Sequence, residues 1–298
     1  MKETCDMHIH THHSDGNLSG TELLKYATKR GLKKLSITDH DCVDFYLDKK
    51  NIDMLKDFDY VTGCEFVCAY EDVPIEILGY GIDVVAAKKY LDEYGVTENM
   101  LERYRSNETP KAFAKHGVKL KYDPNSIDFT KKCPMVLEKL HEAILQDPVA
   151  SQFLYKENPN LLNSVNAFLR EGLNNPTSKI FIAPHKVYPS YQKISEVIRG
   201  LGGMPFLAHP YQYGENMNKV LEGVKNHVCG VECYHPSSNA PEKIQYLETF
   251  CHKNNLMISG GSDFHIKDPN DDDMLNKMGV PAQYFDEIKS AQSYQDAQ

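Results

Sequence analysis

Met7-His8-Ile9-His10-Thr11-His12-His13-Ser14-Asp15-Gly16 sets two histidines two positions apart, with an apolar residue between them. On a β-strand that spacing turns both imidazoles to one face and Ile9 to the other. Neutral imidazole is the commonest protein metal ligand, and carboxylates are hard partners for the same ions. A purification tag is homopolymeric, whereas this run is interrupted by Ile9 and closed by Asp15-Gly16. The segment therefore predicts a strand with metal ligands on one side.

The pattern repeats outward from that strand, which spans 4–10. Ser19 and Glu22 have the spacing of a capping box for a helix over about 19–30, with Leu23, Leu24 and Ala27 on its apolar side and Gly31 at its end. Leu32–Thr38 is the next strand, tipped by Asp39-His40-Asp41. A helix over about 43–56 precedes a strand near 60–67 that carries Glu65. Ile75-Glu76-Ile77-Leu78-Gly79-Tyr80 is another strand. Strand and helix alternating in this way predict an α/β fold with a mostly parallel sheet. From 84 to about 185 the β alternation disappears. Amphipathic stretches near 86–94, 97–116, 134–146 and 158–171 are joined by turns such as Tyr122-Asp123-Pro124-Asn125, which predicts a helical insertion. A helix at 190–201, strands at 204–208 and 228–234, a helix at 240–254 and the strand Leu256–Ser259 then resume the first pattern. The organisation is thus 1–83, an insertion over 84–185, and 186–298. The acidic, turn-rich tail from about 269 carries no assigned chemistry.

Composition limits the function. The net charge of -9, without a basic block, argues against a broad nucleic-acid surface or a partner of long duplex type. A small phosphorylated substrate remains compatible, because bound divalent ions add local positive charge that the formal count omits. No apolar run is long enough for a membrane span and no signal segment is evident, so a cytoplasmic protein is expected. The eight cysteines are irregularly spaced, and the four-residue separations Cys64/Cys68 and Cys229/Cys233 are not those of a zinc knuckle. They read as buried free thiols. No obligate protein partner is predicted.

An apolar strand followed by a His/Asp/Glu tip recurs at His8/His10, Asp39-His40, Glu65, Glu76, His209, Glu232/His235 and Asp263/His265. Too few Lys and Arg residues flank these tips to neutralise them. Buried ionisable groups are costly unless paired or metal-bound, so a polynuclear metal centre is the economical solution. In parallel α/β architecture such a site assembles at the C-terminal ends of the strands. His116, His141, His227 and His252 fall in helices or at helix ends and read as structural.

Met7-His8-Ile9-His10-Thr11 with Ser14-Asp15-Gly16, Ile37-Thr38-Asp39-His40-Asp41, Gly63-Cys64-Glu65, Leu207-Ala208-His209-Pro210 and Gly261-Ser262-Asp263-Phe264-His265 resemble the motifs of the polymerase and histidinol phosphatase (PHP) superfamily of metal-dependent phosphoesterases, in the same order. The insertion, the segment Gly230-Val231-Glu232-Cys233-Tyr234-His235 and the Gly-Gly before Ala-His-Pro resemble its branch of nucleoside-phosphate phosphoesterases and 5′-to-3′ oligoribonucleotidases. The resemblance covers about 1–83 and 186–267. It implies a distorted seven-stranded (β/α) barrel and two or three divalent ions (Mn, Fe or Zn). It implies His8, His10, Glu65 and Asp263 at a first metal, Glu65 and His209 at a second, and Asp15, His40 and His265 at a third. Relatives usually place a histidine where this chain has Glu76. Ligation by Glu76 adds negative charge and favours a harder ion such as Mn²⁺ or Fe²⁺.

The resemblance also implies roles around the substrate: His235 at the phosphate or leaving group, with Glu232 beside it. From their places in the chain, His12 and the His185-Lys186 pair are candidate phosphate contacts, Arg103, Arg105 and Arg170 are alternative clamps between which the sequence does not choose, and Asp15 or a nearby histidine is the expected proton shuttle. The expected reaction is hydrolysis of a phosphate ester by a metal-bridged hydroxide. The substrate class is a nucleoside monophosphate or short oligonucleotide, short RNA included. The alternatives are a cyclic-phosphate phosphodiesterase, a sugar-phosphate phosphatase or a non-catalytic metal- or nucleotide-binding module. No nucleophile elbow, Walker loop or dinucleotide-binding glycine motif competes.

Overall fold

The computed structural model describes residues 4–95, 98–129, 135–183, 186–270 and 273–295. The chain divides into two units, 1–95 with 189–298 and 96–188, where the sequence pattern set its boundaries at 83/84 and 185/186.

The first unit opens with β1 (Thr4–Cys5), which runs on as an extended segment to His10. Alternation along it is strict. Cys5, Met7 and Ile9 enter apolar clusters, while Asp6, His8 and His10 are buried on the opposite face. α1 (Gly20–Lys29) begins at Ser19, where the capping box forms: the Ser19 hydroxyl accepts from the Glu22 N–H and the Glu22 carboxylate accepts from the Ser19 N–H. Such a cap stabilises a helix by about 1 kcal/mol. Leu23, Leu24 and Ala27 cover one side of the sheet.

β2 (Lys34–Leu35) is followed by a 3₁₀ turn at Asp44–Leu47 and α2 (Lys49–Leu55), capped by Asp48. β3 (Asp59–Tyr60) pairs parallel with β2. β4 (Gly63–Tyr70) and β5 (Val73–Tyr80) form an antiparallel hairpin across Glu71-Asp72, with Glu71 at φ +50°. α3 (Val84–Tyr94), capped by Asp83, closes this half.

The second unit holds α4 (Glu98–Ala114), α5 (Val136–Gln146), α6 (Pro148–Glu157), α7 (Val165–Ala167) and a π-helical turn, Phe168–Leu173. Phe113, Val136, Leu140, Ile144, Leu154, Phe168 and Ile180 form its own core. α6 was not anticipated from the sequence pattern. Its start is written in Asp147-Pro148, since the Asp147 carboxylate accepts from Val149 and Ala150 N–H groups and proline suits the first helical position.

In the second half of the first unit, α8 (Tyr191–Gly200) leads to β6 (Met204–Leu207), α9 (Met217–Val224), β7 (Gly230–Tyr234), α10 (Pro241–Asn254) and β8 (Met257–Gly260). The turn-rich tail contributes a strand and a helix. β9 (Val280–Pro281) pairs antiparallel with β1, and α11 (Ala282–Gln295) buries Phe285 and Ile288.

The regular sheet has the order β4-β5-β6-β7-β8. β6, β7 and β8 are parallel, but β5 runs antiparallel to both β4 and β6, so the sheet is mixed where a mostly parallel one was predicted. That reversal matters for Glu76. It sits near the start of β5, and its carbonyl accepts from the Ala208 N–H, so it lies beside the C-terminal end of β6. Hydrogen bonds extend the pairing past β8: Met7 N–H to the Gly260 carbonyl, Asp6 N–H to Lys34, and Val61 N–H to Leu35. The seven described cysteines are free thiols, and Cys5, Cys64, Cys68, Cys233 and Cys251 are buried. Among the described residues no helix is long and apolar enough to cross a membrane.

Candidate metal centre

The strand tips bring nine of the expected side chains into one cluster. His8 and His10 turn their Nε2 atoms toward each other, 3.1 Å apart. Glu65 Oε2 lies 3.1 Å from His8 Nε2 and 3.3 Å from His10 Nε2. Asp263 Oδ1 lies 3.4 Å and 3.2 Å from the same two nitrogens. These separations test the fit of a metal directly. Bonds of about 2.1 Å place two ligand atoms about 3.0 Å apart at a right angle and about 3.4 Å apart at the tetrahedral angle. The four residues match that range.

Glu65 also reaches the other way. Its Oε1 is 3.0 Å from His209 Nε2, and Glu76 Oε2 approaches the same nitrogen at 3.2 Å. One carboxylate thus faces two groups of ligand atoms with its two oxygens, the arrangement a bridging ligand needs. His40 lies between groups, with Nδ1 3.1 Å from Glu65 Oε2 and Nε2 3.7 Å from Asp15 Oδ2. The third group is looser. His265 Nε2 is 3.2 Å and His10 Nδ1 3.7 Å from Asp15 Oδ1. His10, Asp15, His40 and His265 offer ligand atoms that all lie within 4.8 Å of one another, as do His8, His10 and Glu65, and His40, Glu65 and Glu76. These clusters are potential metal sites.

Electrostatics agree with a missing positive charge. Among the described residues, the ion-pair partners of Asp15, Glu65, Glu76 and Asp263 are histidines, not Lys or Arg. Burial alone would raise Glu65, yet the His8 and His40 imidazoles hold it well below the usual carboxylate range. Burial also opposes ionisation of Asp15, but the His265 hydrogen bond brings it down to about 2. Burial would lower His10, whereas Asp263 and Glu65 lift it to about 9. Strongly perturbed groups gathered in one place mark a functional site.

Outer contacts fix the ligands. Thr11 N–H, Thr11 Oγ1 and Ser14 Oγ all donate to the buried Asp39 carboxylate, which pins the loop leading to Asp15. The Ser262 N–H donates to Asp6 Oδ1 at 2.9 Å, and the His8 N–H does so at 3.3 Å. His265 Nδ1 donates to the Asp263 carbonyl, which leaves Nε2 to face Asp15. The Ser237 N–H donates to His235 Nδ1, so the His235 proton is on Nε2, 3.2 Å from Asp263 Oδ2. His209 and Asp263 themselves sit at φ +25° and +52°, strained positions of the kind that cluster at functional sites.

The expected substrate contacts are distributed differently. Glu232 is fully buried, with Oε1 2.9 Å from His8 Nδ1 and Oε2 accepting from the His209 N–H at 2.8 Å. His12 is exposed and packs its ring on His13. Arg170 and Lys186 are exposed on the second unit. There Arg103 stacks on Phe129 and Arg105 pairs with Glu102. His185 lies outside the described residues. Positioning contacts are made by Asp6, which the sequence pattern did not single out, by Asp39 from a strand tip and by Glu232 from the expected substrate set.

Comparison with known proteins gives these features a family. The PHP domain matches residues 6–162. A 5′-3′ exoribonuclease of Haemophilus influenzae is 25% identical over 277 residues, covering 89% of this chain and 91% of that protein. A 3′,5′-nucleoside bisphosphate phosphatase of Chromobacterium violaceum is 29% identical over 100 residues, which is 34% of this chain and only 35% of that protein. A solved structure of an amidohydrolase from Chromobacterium violaceum, with bound sulfate and no metal, superposes with a TM-score of 0.63 at 20% identity, covering 96% of each chain.

Proposed function

The chain belongs to the PHP family of metal-dependent phosphoesterases, and within it we propose hydrolysis of a nucleoside monophosphate or the terminal phosphoester of a short oligonucleotide. The observation that carries this reading is the convergence of His8, His10, Glu65 and Asp263 at 3.1–3.4 Å with no Lys or Arg counter-charge among the described residues. Two curated relatives named for action on nucleotide phosphoesters support the substrate class. The hydrogen bonds that the Met7, Asp6 and Val61 N–H groups donate to the Gly260, Lys34 and Leu35 carbonyls support reading the strands as a distorted seven-stranded barrel.

His8, His10, Glu65 and Asp263 would hold one ion. Glu65, His209 and Glu76 would hold a second, and Asp15, His40 and His265 a third, with His40 also within reach of the second. Divalent ions bound there supply positive charge opposite the phosphoryl oxygens and make water acidic enough to attack near neutral pH. The protein's own groups do the remaining work. Asp15 is ionised and 56% exposed, placed to take a proton and pass it to solvent. His235 holds its proton on Nε2 through the Ser237 N–H and would present it to the departing oxygen. The buried His8, His10 and Glu65 exclude water from the inner side of the site, where electrostatic stabilisation of the transition state is strongest.

A phosphate-release screen with Mn²⁺ tests this across nucleoside 3′- and 5′-phosphates, 3′,5′-bisphosphates, cyclic phosphates, sugar phosphates and short RNA. Turnover of nucleotides or RNA ends supports the proposal. Turnover confined to sugar or cyclic phosphates replaces the substrate class, and inactivity of metal-loaded protein toward every phosphoester overturns the hydrolase reading.

A further inference from the structure

We propose that Glu232 is a shared positioning residue that ties the first metal position to the second, rather than a substrate contact. The inference rests on the metal-centre reading above. Glu232 is 0% exposed, and each of its oxygens is committed to a different ligand. Oε1 stands 2.9 Å from His8 Nδ1, and Oε2 accepts from the His209 backbone N–H at 2.8 Å.

The chemistry of each contact sets one variable. A buried, ionised carboxylate can only accept, so the His8 proton that faces it sits on Nδ1. Nε2, the nitrogen that meets His10, Glu65 and Asp263, is then the one free to ligate. Carboxylate–histidine–metal relays of this form fix both ring orientation and tautomer. On the other side, His209 occupies φ +25°, ψ +62° immediately before Pro210. A non-glycine residue in that region needs to be held there, and the N–H bond to Glu232 is the contact that holds it. The Tyr213 hydroxyl secures the same corner by donating to the Ala208 carbonyl. β7 places Glu232 opposite Ser259 of β8, one strand from β6, so a single rigid strand supports both ligands.

The amide in Glu232→Gln cannot do this. Its NH₂ would face either the His8 Nδ1–H or the His209 N–H, and both are donors. If it turns to His8, the imidazole must move its proton to Nε2 and lose its ligating lone pair. If it turns to His209, the backbone bond is lost. Glu232→Asp keeps the charge but is one methylene too short to span both partners.

The experiment measures Zn²⁺ binding to the full-length protein by competition with a chromophoric chelator, together with ¹⁵N-histidine NMR of the Zn²⁺-loaded protein. Wild-type protein should show His8 protonated on Nδ1 and hydrogen-bonded to a carboxylate, assigned by its loss in His8→Gln. Glu232→Gln should weaken at least one of the two tightest Zn²⁺ events by about 10- to 100-fold, the first if its amide turns to His8 and the second if it turns to His209. Glu232→Asp should restore the His8 signature while leaving the second event weak. Wild-type affinity in folded Glu232→Gln, or His8 protonated on Nε2 in the wild type, overturns the proposal. If Glu232→Gln does not fold, the wild-type His8 tautomer alone decides. A wild-type protein that binds no Zn²⁺ instead removes the metal centre on which the proposed function stands.

Discussion

Gly261→Ala tests whether the His8 strand is placed to the accuracy a metal requires. Gly261 is buried immediately after β8, and its N–H donates to the Tyr234 carbonyl. A Cβ built there would lie 2.5 Å from His8 Cβ and 2.8 Å from Asp6 Oδ1, and closer still to the His8 backbone nitrogen. Non-bonded carbon atoms settle at about 3.5–4.0 Å. The two strands must therefore part by about 1 Å, and backbone rather than a flexible side chain has to move. Overpacking of this kind costs about 1–3 kcal/mol. At about 2–4 °C per kcal/mol for a domain of this size, the metal-free variant should melt about 2–12 °C lower. Its effect on the metal should be larger. Metal–ligand bonds tolerate about 0.2 Å, so a 1 Å shift of His8 takes it out of the first site. Melting followed by circular dichroism and metal content by mass spectrometry after dialysis give the two readouts. Gly200→Ala is the control: a Cβ at that helical position meets nothing within 4 Å, so its Tm and metal content should not fall. A Gly261→Ala protein with wild-type Tm and full metal content would refute the reasoning.

Asp263→Asn should lower kcat at least about 100-fold, since removing even outer partners of metal ligands costs up to that much. Its circular dichroism should stay native, because asparagine tolerates the φ of +52° at this position; unchanged kcat removes Asp263 from the ligand set. Metal binding should release protons near neutral pH. Burial alone would lower His10, but Asp263 and Glu65 hold it at about 9 in the metal-free protein, so its proton must leave and affinity should climb with pH up to about 9. Calorimetry in buffers of different ionisation enthalpy measures that release, and a buffer-independent heat contradicts it. Glu76→His should raise Zn²⁺ affinity relative to Mn²⁺ by replacing a carboxylate 3.2 Å from His209 Nε2 with an imidazole. Competition titration with the two ions checks this, and an unchanged ratio places Glu76 outside the site.

The parts of this molecule that were legible in the sequence obey a local period. His8 and His10 share a face because strand side chains alternate, and Met7 and Ile9 go into the core for the same reason. Ser19 and Glu22 announced their helix because a capping box is complete within four residues. What escaped was decided by contacts distant in sequence. The reversal of β5 turns on Glu71-Asp72, a two-residue break without glycine whose first residue nonetheless takes φ +50°. Pairing with β4 and β6 compensates that strain, and neither strand announces the reversal locally.

The same limit applies at the site, and it separates the two kinds of carboxylate found there. Asp6 shares a face with His8 and His10, and Asp39 sits beside His40, so by pattern each is as good a ligand as Asp263. In the fold Asp6 takes backbone N–H groups of His8 and Ser262, and Asp39 takes three donors from Thr11 and Ser14. Glu65 and Asp263 instead turn oxygens toward imidazole nitrogens, and the two nearest, His8 Nε2 and His10 Nε2, face each other at 3.1 Å. Asp39, with three donors, is satisfied without a cation. Asp6 takes both of its donors on Oδ1, keeps Oδ2 buried without a hydrogen-bond partner among the described residues, and is pushed up to about 7 by burial. A carboxylate that faces imidazoles needs positive charge, from protons on those rings or from a metal that displaces them. That difference in partners, rather than position at a strand tip, divides the acids that build the centre from those that hold it.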